Sequence, residues 1–130
     1  MGDGPEMLYF LNAENDYVCK RCAGLVQKTI QVRPLGRALL LHLKRFEFER
    51  TGRKCNDVVL FPRTLSVGTS RYEFTALVEH IGKTMHRGHY VAYVQSTHLW
   101  CCNDEDVVEV SWQTIEKKQA YLLAYVRADT

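Results

Sequence analysis

Several features are missing from the 130-residue sequence, and each absence closes a class. No apolar run approaches the roughly 20 residues that a bilayer-spanning helix needs. No basic-then-apolar leader precedes a cleavage site, so secretion is not expected. No block of like charges stands out from a formal net charge of +2, so neither nucleic acid nor a membrane surface is called for as a partner. The five cysteines are an odd number without disulfide-framework spacing, which fits thiols kept reduced in the cytoplasm or nucleus. Internal repeats and low-complexity segments are absent as well. A single soluble globular domain is the natural expectation for this length.

What is present is organised around His80 to Val107. Gly88-His89-Tyr90 opens an alternating run, Ser96-Thr97-His98 supplies a turn, and Leu99 to Cys102 leads back to Asn103 and Asp104, which reads as a β-hairpin. If the hairpin pivots on Thr97, paired positions sum to 194; Val91 then faces Asn103, and His89 lies diagonal to Asn103 on the same sheet face. If the sum is 193, Asp104 sits opposite His89. Directly opposed Cβ atoms are about 5 Å apart and diagonal ones about 7 to 8 Å, so either register lets the imidazole meet an amide or a carboxylate. An acceptor on Nδ1–H would fix the tautomer and orientation that a general base needs. The plainer alternative is a strand-end histidine beside a turn pair.

The rest of the chain reads as strands. Residues 1–6 are a loose lead-in, and Met7 to Asn12 suits a short strand. Cys19-Lys20-Arg21-Cys22 is a C-x-x-C, which is half of a tetrahedral zinc site; Cys55, Cys101 and Cys102 do not complete it at knuckle spacing. Ala38 to Phe48 is the most apolar run, apolar on both faces at first, and is expected to be a central strand. Val58 to Phe61 suits a short strand stopped by Pro62, and Val67 to Ser70 a loop. Tyr72 to His80 alternates as a half-buried strand whose last inward residue, His80, is expected to be packed or hydrogen-bonded rather than catalytic. Gly82 to Gly88 bounds a loop that could gate a site. His86 and His89 form an H-x-x-H, but on a strand they point to opposite sides, which argues against a metal. Ser111 can cap a short helix carrying Trp112 and Ile115, and Ala120 to Arg127 is a last strand.

Taken together, His80-Ile81-Gly82, Gly88-His89-Tyr90, Trp100, Asn103-Asp104-Glu105-Asp106-Val107 and Ala120-Tyr121-Leu122-Leu123-Ala124-Tyr125 resemble the C-terminal part of the catalytic domain of ubiquitin-specific proteases. Ala38 to Phe48 resembles the family's L-x-x-H-L-K-R-F run. Tyr17, Cys19, Cys22, Lys28 and Pro34-Leu35 resemble the second zinc knuckle of its fingers. The resemblance covers about Tyr17 to Val126. It implies an α+β fold, mainly antiparallel β-sheet with short helices: residues 17–35 as a zinc-knuckle half of the fingers and 36–130 as the palm of a papain-like cysteine protease. It further implies His89 as general base, Asn103 as the residue that orients it and Asp104 as a neighbouring polar group. The Gly82–Gly88 loop would lie over the ubiquitin tail.

The family's nucleophile follows Gly-Asn-Thr in an N-terminal motif, and none of the five cysteines here does. The resemblance therefore implies the C-terminal part of a thiol-dependent deubiquitinase that has the base but no nucleophile, with ubiquitin, or a ubiquitinated protein, and the N-terminal half of the domain as partners. No cofactor is required for catalysis, and a structural zinc is expected only if a second cysteine pair is supplied. A catalytically inactive ubiquitin-binding or scaffold module is the alternative, and a small zinc-stabilised interaction domain resting on Cys19 and Cys22 is a third. Apolar surface should be exposed wherever another half would cover it.

Overall fold

The computed structural model describes residues 6–11, 19–22, 24, 26–31, 36–46 and 53–128. The chain divides into two compact units, Met1–Leu35 with Ser66–Ser70, and Gly36–Leu65 with Arg71–Thr130. In the first, β1 (Glu6–Leu11) pairs antiparallel with β2 (Val26–Gln31), from Glu6 opposite Gln31 to Leu11 opposite Val26. The Met7 to Asn12 strand is thus found. Its partner was not anticipated, although Val26, Lys28 and Ile30 alternate with Gln27, Thr29 and Gln31 in the period of a strand. Asn12, Tyr17, Pro34-Leu35 and Phe48 lie outside the described residues.

The second unit is built on β3 (Ala38–His42), β5 (Ser70–Thr84), β6 (Arg87–Gln95), β7 (Leu99–Asn103), β8 (Asp106–Glu109) and β9 (Ala120–Arg127), in the order β3-β9-β5-β6-β7-β8, with β4 (Thr64–Val67) pairing to β5 off that path. The neighbours along that path whose registers follow are all antiparallel. A single turn of helix, α1 (Trp112–Ile115), precedes β9. Ser111 stands at its N-cap, but its Oγ meets Thr114 Oγ1 at 3.2 Å rather than a backbone N–H.

The core gathers Tyr72, Phe74, Leu77, Val91, Tyr93, Leu99, Ile115, Leu123 and Tyr125. Trp112 packs edge-on against Phe61 and Phe74, and the Tyr125 hydroxyl donates to Pro62 O at 2.7 Å. Burial of Tyr125 pushes its phenol up to about 12. In β5 the expected alternation holds at Tyr72, Phe74 and His80. Leu77 is fully buried out of phase with it, so both faces of the strand are covered there.

Three expectations are corrected. Among the described residues the leucine run is not a central strand: β3 stands at the end of the order, pairing with β9, and Leu40 is 67% exposed. Local composition registers how apolar a strand is, not whether anything lies beside it. Val58 to Phe61 is not a strand either. The neighbouring carbonyls of Cys55 and Asp57 are taken by the Arg45 guanidinium, at 3.2 and 2.8 Å, and so are not offered to a ladder. Finally, the Gly82–Gly88 loop is mostly strand. β5 runs to Thr84 and β6 begins at Arg87, leaving Met85-His86 as the turn, with a register shift between Ile81 and Thr84.

Arg45 is 4% exposed and also donates to Ala120 O at 2.6 Å, so one side chain ties its own segment to the 55–57 segment and to the start of β9. Lys54, likewise buried, donates to His80 O at 2.5 Å. Burial first, and Arg45 second, hold the Lys54 ammonium below the usual lysine range.

Candidate active site

The β6–β7 hairpin decides which side chains can meet. Gln95 pairs with Leu99, Val94 with Trp100, Tyr93 with Cys101 and Ala92 with Cys102, so paired positions sum to 194. The bend is closed by Ser96 N–H to His98 O at 2.8 Å and by Thr97 N–H to Ser96 Oγ at 2.6 Å. One step further, Asn103 comes opposite Val91, with His89 diagonal to it. A two-residue turn, Asp104-Glu105, then starts β8, with Asn103 paired to Asp106. Asp104 sits in the left-handed region at φ 53°, which a short polar side chain tolerates better than a branched one.

This register brings the ring of His89 to Asn103. His89 Nε2 lies 2.6 Å from Asn103 Oδ1. An amide oxygen only accepts, so Nε2–H is the donor in this contact. Of the two expected partners, Asn103 is therefore the one in hydrogen-bond contact. Asp104 Oδ2 stands at 3.8 Å from the same nitrogen, with its side chain 79% exposed. The expectation that Nδ1–H would be held is corrected: the acceptor is on Nε2.

Beside His89, the preceding hairpin pairs His80 with Tyr90 and Ile81 with His89. His80 is 2% exposed, and its ring makes edge contacts with Phe46 at 5.3 Å and Tyr90 at 5.0 Å between centroids. Neither of its ring nitrogens has a hydrogen-bond partner. Burial, then the Lys54 charge, hold the imidazole below the usual histidine range, so it is kept neutral. His42 is exposed and stacks edge-on with Tyr121, at 4.9 Å. His86 occupies the Met85-His86 turn.

Sequence reasoning missed the buried Arg45 and Lys54 and the ion pair of His98 Nδ1 with Glu109 Oε1 at 3.1 Å. Cys101 and Cys102 are half-buried with free thiols. Cys19 is half-buried and Cys22 exposed, and among the described residues no three His, Cys, Asp or Glu side chains gather as a metal would require. Those two thiols offer two of four tetrahedral ligands and do not by themselves fit a structural zinc.

Comparison with known proteins places this geometry in a class. Residues 4–125 match the family described as ubiquitin carboxyl-terminal hydrolase. Ubiquitin carboxyl-terminal hydrolase 4 of Arabidopsis thaliana is 33% identical over 112 residues, 77% of this chain and 31% of that protein. Ubiquitin carboxyl-terminal hydrolase 12 of Salmo salar is 34% identical over 122 residues, 82% of this chain and 33% of that protein. Among solved structures, the yeast SAGA DUB module superposes with a TM-score of 0.77 at 29% identity, covering 96% of this chain and 31% of the other. The module containing Ubp8 bound to monoubiquitin gives 0.72 at 28% identity, covering 98% and 31%.

The fold is that of a papain-like thiol protease, mainly antiparallel sheet with little helix. The chain belongs to the ubiquitin carboxyl-terminal hydrolase family, and spans about a third or less of the relatives named here.

Proposed function

We propose that this chain supplies the proton-handling side of a thiol-dependent deubiquitinase that hydrolyses peptide or isopeptide bonds at the ubiquitin C-terminus. The observation that carries the reading is the 2.6 Å contact of His89 Nε2 with Asn103 Oδ1, which anchors the ring through one nitrogen at the foot of the hairpin. In this scheme a cysteine thiol from outside the chain gives its proton to His89 Nδ1 and the sulfur attacks the scissile carbonyl carbon. His89 returns that proton to the departing amine as the C–N bond breaks. It then takes a proton from water, whose oxygen attacks the thioester, and passes it to the released sulfur. Asn103 orients the ring through all three steps, and the Asp104 carboxylate at 3.8 Å stabilises it while it is charged.

The partners are ubiquitin, or a ubiquitinated protein, and the segment that carries the nucleophile; the setting is the cytoplasm or nucleus. No helix among the described residues is long and apolar enough to cross a membrane. Cys19 and Cys22 would hold a structural zinc only with a second cysteine pair supplied, and no catalytic step runs through it.

The five cysteines, none of which follows Gly-Asn-Thr, favour one second reading: a ubiquitin-binding or scaffold module of the same fold that does no chemistry. A fluorogenic ubiquitin substrate separates the two, assayed with this chain alone and after mixing with the N-terminal half of a relative's domain. No turnover alone and turnover after mixing are expected. Ubiquitin binding without turnover in either arm supports the module, and full thiol-dependent activity from the chain alone contradicts the assignment of an external nucleophile.

A further inference from the structure

Gly88, which precedes the proposed base, is not a glycine for the sake of its backbone. Positive φ angles among the glycines occur at Gly68 and Gly82, not at Gly88, so an L residue could adopt the local conformation. What forbids a side chain there is the ring of His80. A Cβ built on Gly88 would overlap His80 Nε2 and would lie 2.7 Å from its Cε1 and 2.9 Å from its Cδ2.

Gly82 shares the arrangement. Its Cβ would meet Arg87 O at 2.5 Å, Gly88 Cα at 2.9 Å and His80 Cε1 at 3.1 Å. The H-x-G at 80–82 and the G-H at 88–89 are thus one packed unit: the imidazole fills the space at Gly88, while at Gly82 the backbone of Arg87 and Gly88 comes first and the edge of the same ring next. This unit sits at the register shift between Ile81 and Thr84, where the ladder alone does not determine the path of β6.

His80 is itself held from several directions. Lys54 Nζ bonds its carbonyl, and Phe46 and Tyr90 flank its ring. Its nitrogens have no hydrogen-bond partner, so the ring acts here through its shape.

We propose that His80 is a positioning residue: its ring, wedged against Gly82 and Gly88, sets the course of β6 into His89 and so delivers the His89 imidazole to Asn103. The inference rests on the proposed role of His89. Its test reads geometry rather than hydrolysis, so the two can fail separately.

The experiment is histidine-resolved NMR of this chain, following the nuclear Overhauser contact between the His89 ring and the Asn103 side-chain amide, with far-ultraviolet circular dichroism to confirm folding. The contact is expected in the unchanged chain and lost in Gly88→Ala. It should return in the double variant Gly88→Ala with His80→Ala, where the new methyl occupies part of the vacated space. His80→Ala alone should weaken it, because the wedge is gone and nothing fills its place. If Gly88→Ala fails to fold, the single His80 variant and the double variant decide the matter. Retention of the full contact in folded His80→Ala or Gly88→Ala overturns the proposal, as does a folded double variant in which the contact stays absent.

Discussion

Arg45 and His89 are both held by short hydrogen bonds, yet their settings are opposite. Arg45 is 4% exposed and bonds three backbone carbonyls, of Ala120 through Nε and of Cys55 and Asp57 through Nη1, so two of its three guanidinium nitrogens are committed to holding chain segments together. The His89 side chain is 45% exposed and bonds another side chain through one ring nitrogen. A buried charge spent on main-chain acceptors is a brace, and its removal strands several partners at once. An exposed imidazole anchored through one nitrogen contributes little to the fold and has the placement that the proposed base requires.

The sharpest way to break this comparison is to exchange the two losses. In an enzyme reconstituted by adding the N-terminal half of a relative, His89→Ala should lower turnover of a ubiquitin substrate by roughly 10³-fold or more. The same change should alter the chain's unfolding free energy by less than about 0.5 kcal/mol. His86→Ala, in the turn, should leave turnover unchanged. Arg45→Met should show the reverse character, costing about 3 kcal/mol in urea unfolding of the chain, since three carbonyls lose a charged donor. A His89 variant as unstable as the Arg45 variant would erase the distinction between brace and base.

Asn103→Ala sharpens the comparison within the site. A ring freed from its anchor should cost about a hundredfold in turnover by misplacement alone, at unchanged stability. His80 tests whether the buried side of the sheet behaves as structure. Its folded-state pKa is held below 6.5, chiefly by burial, so the unfolded chain binds a proton that the folded chain refuses. Stability should therefore be fully present above pH 6.5 and fall as pH drops below it, and His80→Phe should flatten that fall in pH-dependent urea melts. The smallest effect belongs to the exposed His98–Glu109 pair, where His98→Gln should change stability by no more than about 0.5 kcal/mol.

The legibility of the sequence divides along the same line. The hairpin could be read because its logic is local. A period of two and a turn near Thr97 leave two registers, with sums of 194 and 193, and the observed one is 194, which places His89 diagonal to Asn103. The choice of ring nitrogen was not legible, since it depends on how the ring stands over the strand. Leu39 to Leu43 misled because an apolar strand with neighbours on both sides and an apolar strand at the end of a sheet have the same composition. Val58 to Phe61 misled because the carbonyls beside it are captured by Arg45, which is 12 residues from Asp57 in sequence. His80 was recognised as packed. That it packs against Gly88, next to the proposed base, follows only from the fold.

Long-range ¹H–¹⁵N NMR of the chain labelled at histidine reads the protonation of both His89 nitrogens directly. At neutral pH the hydrogen should reside on Nε2, with Nδ1 unprotonated, and Asn103→Ala should remove that preference. A His89 ring found with its hydrogen on Nδ1, or indifferent to the loss of Asn103, would show that this histidine is not held as a base.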